Sequence, residues 1–222
     1  MNVATDWVAV SSIVTAAATL VLAIATFASV RSANRAARAA ETSLLAGLRP
    51  LLVPSRLEDP PQKVSFVDGK LLVVRGGAGH AEATDDAVYL AISIRNVGSG
   101  IAVLHGWHFS AEYLAGQNEH LPVDEFTALT RDIYVPVGDV GFWQGSFRDP
   151  ASPEFVAAKR AIEARERITV DVLYGDFEGG QRVVSRFALL PREDGDGYLA
   201  AAGRHWNIDR SDPRARPPAP AT

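Results

Sequence analysis

A chain of 222 residues with 47% hydrophobic and 22% charged side chains can hold one domain with appendages and is too apolar for wholesale disorder. Its net charge of -4 is unevenly spread: five arginines and one glutamate lie between Arg31 and Arg56, whereas residues 57–222 carry 17 basic and 24 acidic groups, net -7. An acidic domain repels phosphate backbones, which argues against nucleic acid as a partner, and the lack of cysteine excludes disulfides, thiolate catalysis and Cys-ligated zinc.

Residues 7–30, "WVAVSSIVTAAATLVLAIATFASV", form an uncharged run of 24. As a helix it spans roughly 36 Å, enough for a hydrocarbon core of about 30 Å with some tilt. A buried helix of a soluble protein and a cleaved export signal compete for the same run. Soluble helices are usually shorter. A signal peptide needs a positive N-terminal region and a shorter apolar stretch, whereas Asp6 is the only charged side chain before Trp7. The run therefore reads as a retained anchor, with the lipid bilayer as its first partner. Arg31, Arg35 and Arg38 follow it directly, so the positive-inside bias places the N-terminus outside and the rest in the cytoplasm, at the inner membrane. Trp7 then marks the outer interface. Ser12 with Ala16, and Ala25 with Ser29, stand four apart, a spacing that lets spans self-associate closely.

"RSANRAARAAETSLLAGLRP" continues as a basic juxtamembrane helix, with Gly47 and Pro50 as its stop. Ala33, Ala36, Ala37, Ala40 and Leu44 line one stripe, which suits a solvated spacer, a parallel helix pair joining two copies, or a basic stalk lying on anionic headgroups. Beyond Pro50 the period falls to two. "KVSFV-DG-KLLVV" reads as a hairpin with a type I′ turn at Asp68-Gly69. Residues 76–86 read as a Gly-rich loop, and 88–95 as a half-buried alternating strand. "NVGSG" (96–100) turns the chain through glycines at positive φ. Ile101, Val103, Trp107 and Phe109 form the inner face of the next strand, with His105 beside them. Residues 131–136 and 141–147 add strands, and Ser152 caps a helix that begins at Pro153. Ile168, Val170, Val172 and Tyr174, then Val183, Phe187 and Leu189, point inward from two further strands.

The expected fold is membrane-anchored and mainly β: a transmembrane anchor (1–30), a basic helix (31–49), an antiparallel β-sandwich with one inserted helix (50–208) and a Pro-rich disordered tail (209–222). The apolar span, the basic helix ending in "LRPLLVP", "IRNVGSGIA" and "VLYGDFEGGQRVVSRFALL" together resemble a loose group of uncharacterised bacterial proteins with one transmembrane helix and a soluble β-sandwich domain. The likeness spans residues 7–190. It implies architecture and assigns no catalytic residue.

Motifs for chemistry are sparse. The histidines of "HGWH", three apart, point to opposite faces of a strand, so no metal site is expected. "GGAGH" and "VGSGIA" lack the strand-to-helix setting and the Lys of a phosphate loop, and no GxSxG elbow is present, so no cofactor or catalytic residue is assigned. Asp171, Asp176 and Glu178 read as solvated carboxylates. Trp143 and Trp206 are candidate interaction anchors, though core packing is the commoner role for such rings. The expected function is a non-enzymatic protein-interaction module held at the membrane. An enzyme whose site assembles only in three dimensions, or a surface domain of reversed topology, are the alternatives.

Overall fold

The computed structural model describes residues 3–110, 119–193, 195, 197–210 and 212, in two compact units, Met1–Ala46 and Gly47–Thr222. The first is one helix, α1 (Val3–Gly47). Alanine supplies propensity through its second half, and Gly47 with Pro50 ends it. Its threonines donate back along the helix: Thr15 to the Ser11 carbonyl (2.9 Å), Thr19 to Thr15 (2.8 Å) and Thr26 to Leu22 (2.8 Å). Each hydroxyl is thereby satisfied inside its own helix, the condition for a polar side chain in lipid. A single helix thus runs through the boundary drawn at residue 30.

The second unit is a curled, mostly antiparallel sheet with one further helix. Among the described residues its strands are β1 (Leu52–Pro54), β2 (Gln62–Ser65), β3 (Leu71–Val74), β4 (Ala78–Ala83), β5 (Val88–Asn96), β6 (Ala102–Ser110), β7 (Thr127–Val135), β8 (Val140–Phe147), β9 (Ile168–Gly175), β10 (Arg182–Pro191) and β11 (Tyr198–Asn207). The sheet runs β1-β5-β4-β11-β10-β9-β6-β7, with β8 also on β5; β2 and β3 form a separate hairpin. Its ends, β7 and β8, approach along a seam without pairing. Arg131 on β7 bridges that seam, donating to Gln144 Oε1 (3.0 Å) and to the Ser65 carbonyl (3.1 Å).

Alternation puts Leu90, Ile92, Ile94, Trp107, Ile168, Val170, Val172 and Phe187 on the inner face, where they form the main core. Trp107 and Trp143 meet edge to face, centroids 5.3 Å apart. Helix α2 (Pro153–Glu163) adds Phe155, Ala158 and Ala161 to that core. As expected, Ser152 caps it, its side chain accepting from the Phe155 amide at 3.2 Å, with Pro153 opening the first turn.

Four local expectations are corrected. The β2–β3 turn is not type I′, which needs positive φ at both central residues: only Gly69 has it (φ 84°), and the Gly69 amide closes on the Phe66 carbonyl at 3.0 Å. Asp68 instead serves as an acceptor, and the Tyr89 hydroxyl donating to it (2.6 Å) holds its carboxyl below the usual range. Second, residues 78–83 are a strand rather than loop. A Cβ on Gly79 would strike Leu189, so glycine is what allows β4 to sit tightly there. Third, β5 is buried on both faces, because the hairpin lays Val64, Phe66, Leu72 and Val74 over Tyr89 and Ala91. Fourth, the register of β6 shifts between Leu104 and Gly106. Ala102 and Leu104 are therefore the inward residues before the shift, while Ile101 and His105 are exposed.

The tail assigned to 209–222 lies outside the described residues except Asp209, Arg210 and Asp212.

Candidate functional site

One distinctive feature is α1. Its most apolar 18-residue window has a mean hydropathy of 2.2, and none of that window is buried. Ile13, Val14, Leu20, Val21, Leu22, Ile24 and Phe27 are each 61–69% exposed. By length and composition α1 is able to cross a membrane. Arg31, Arg35 and Arg38 are exposed on its second half; the side chain of Trp7 lies outside the described residues.

The other distinctive site is the end of the β domain that receives residues 48–52. Asn96, fully buried, organises it. Its Oδ1 accepts from the amides of Leu51 (3.2 Å) and Gly98 (3.0 Å), and its Nδ2 donates to the carbonyls of Gly100 (2.7 Å) and Val135 (2.9 Å). The Val97 amide bonds to the Leu51 carbonyl (2.8 Å) and the Ser99 amide to that of Arg49 (2.9 Å). Arg49 is tied down by donating Nε to Gln181 Oε1 at 2.7 Å, and Leu52 N donates to the Tyr174 hydroxyl at 3.0 Å. Burial pushes that phenol up to about 12, so it stays a neutral hydrogen-bonding group at ordinary pH. Tyr174 passes the chain on to Ser185 Oγ (2.7 Å) and thence to His205 Nδ1 (2.6 Å).

Glycine is required in "NVGSG", though not for the expected reason: neither Gly98 nor Gly100 has positive φ. A Cβ on Gly100 would overlap the Leu48 carbonyl, and one on Gly98 would overlap backbone at Arg49 and Leu51. The motif is a seat for the entering strand. Gly100→Ala is expected to lower stability by about 1–3 kcal/mol through overpacking, measured by thermal unfolding against the exposed Ser99→Ala as control.

On the outer face of the sheet, Asp171 and Arg186 form a buried two-bond pair, Nε to Oδ1 and Nη2 to Oδ2, both 2.7 Å. Asp171 is 1% exposed rather than solvated, since Arg186 lies over the Trp206 ring at 4.9 Å and Val123 and Phe126 fold across the same patch. Asp176 is likewise buried (2%), accepting from the Gly180 amide at 2.8 Å inside its turn, while Glu178 is exposed.

Trp143 (0% exposed) and Trp206 (4%) are both interior, so neither is presented to a partner. His105 is not a core histidine: it sits exposed at the β6 shift, its Nε2 on the side where a Cβ of Gly175 would stand, while His108 pairs across with Asp171 on the outer face. The two rings thus share the outside of the sheet, because the extra residue changes the parity. Among the described residues no three His, Asp or Glu side chains gather as a metal site. The sequence does not reveal Asn96, because an Asn opening "NVGSG" reads as turn chemistry and two of its partners, Leu51 and Val135, are distant in sequence.

No protein-family model matches the chain, and neither curated proteins nor solved structures show a significant similarity to it.

Proposed function

We propose that this is a single-pass protein of the cytoplasmic membrane, N-terminus outside, whose β domain works in the cytoplasm as a non-enzymatic docking module for another protein. The observation that carries the reading is the pairing of an exposed apolar helix with a β domain whose edge strands β7 and β8, which approach along a seam bridged by Arg131, each lack a second ladder partner among the described residues. An unpaired edge offers backbone groups to a partner strand. The arginines at 31, 35 and 38 support the orientation. Close approach of two spans through Ser12/Ala16 or Ala25/Ser29, or of two stalks through the alanine stripe, would bring domains together in pairs.

The chain has no cysteine, so one engineered thiol reports topology cleanly. Ser211→Cys should resist a membrane-impermeant maleimide in intact cells and react after lysis; labelling from outside would establish the reversed topology. Affinity purification of the detergent-solubilised protein should recover a specific partner. Recovery of none, with turnover in an unbiased substrate screen, would replace the docking module by an enzyme.

A further inference from the structure

Five large apolar side chains stand clear of the β domain at the end seated on Asn96. Val97 and Ile101 are 51% and 41% exposed, Tyr134 and Val137 50% and 52%, and Phe177, at the tip of the β9–β10 turn, 66%. Their loops are one structure. Gly138 N bonds to the Asn96 carbonyl at 2.9 Å, Val103 pairs with both Tyr134 and Gly175, and the Tyr134 and Phe177 rings lie 6.4 Å apart. Exposed apolar side chains gathered at one end of a domain in this way suit an interaction surface.

The charge around it selects the partner. Asp132, Asp139 and Glu178 are exposed beside these side chains, and Asp132 accepts from the Tyr134 hydroxyl at 3.3 Å. Of the nearby cations, Arg49 and Arg182 are engaged, with Gln181 and with Asp209, and Arg210 lies near Arg49. Three carboxylates around an apolar rim repel an anionic lipid surface. Two exposed aromatic rings with carboxylates at their margin suit an ammonium or guanidinium group.

We propose that this rim docks a partner protein through a segment bearing Lys or Arg among aliphatic side chains. The aliphatic groups lie on Val97, Ile101 and Val137, and the cation rests against Tyr134 and Phe177 near Asp132 and Glu178. The inference rests on the docking-module reading and names its surface.

The test uses the full chain in nanodiscs of neutral lipid and two synthetic probes, an amphipathic leucine–lysine helix and the same helix with glutamate for lysine. The lysine probe should bind, more weakly at high salt, and the glutamate probe should not. Tyr134→Ser with Phe177→Ser should weaken binding about tenfold or more, and Asp132→Asn with Glu178→Gln comparably. Leu71→Ser with Val73→Ser, exposed apolar residues of the hairpin, should leave it unchanged. Equal binding by rim variants and the natural chain overturns the proposal. In cells, a photo-crosslinking residue at Val137 should capture a protein. Capture at Val73 or Val156 but not at Val137 overturns the rim and leaves the docking module standing; capture at none of the three overturns both.

Discussion

Leu20→Arg combined with Leu22→Arg is expected to release the protein from carbonate-washed membranes. Both positions lie near the middle of the uncharged run, and each arginine there costs about 2.5–3.5 kcal/mol on insertion scales, together about 5–7 kcal/mol. That is several powers of ten in the insertion equilibrium. The two leucines are 63% and 67% exposed and belong to the helical unit, while the β domain is a compact unit with its own core. The near-UV circular dichroism of the released protein should therefore match that of the native chain. Leu44→Arg, in the juxtamembrane part of the same helix, should leave fractionation unchanged. If the double variant stays in washed membranes, α1 is not the anchor.

Truncating either member of the Asp171–Arg186 pair should be the most damaging single change to the β domain, about 3–5 kcal/mol, because it strands a charge that the surrounding side chains keep from water. The pair is worth much less than the cost of breaking it. Asp171→Leu with Arg186→Met removes both charges and keeps the bulk over Trp206, so most of the stability should return. Denaturant unfolding of the four proteins closes the cycle. Failure of the double variant to recover would mean that the guanidinium contact with Trp206, not charge burial, dominates. As a contrast, Lys159→Ala, which breaks the surface pair with the almost fully exposed Asp85, should leave the unfolding midpoint nearly unchanged.

The elements that were legible in the sequence are those set by local period and by end chemistry. Ser152-Pro153 opens α2 because a cap and a fixed φ act within one turn of the chain. The inward residues of β9 and β10 follow from strict alternation, which no register shift interrupts where the two strands pair. Where a rule needed a neighbour, it failed in an instructive way. Alternation misassigned Ile101 and His105 because one register shift reverses parity for everything before it. "NVGSG" shows its dependence on glycine locally, but the constraint comes from Leu48 and Arg49 lying against it, contacts made across about fifty residues of chain. The exposed rim was illegible altogether: valine and phenylalanine at loop tips look like core residues until the loops are folded together.

By itself, then, the sequence determined that an uncharged helix long enough for a bilayer precedes an acidic, strand-rich domain, with basic charge between them. Those properties are sums over neighbouring residues. The tertiary structure alone decided that Asp171 and Asp176 are buried, that Trp143 and Trp206 are enclosed, and that Val97, Ile101, Tyr134, Val137 and Phe177 share one end of the sheet. Burial and adjacency depend on which strand lies beside which, and that is set by packing across the whole domain rather than by any local stretch of chain.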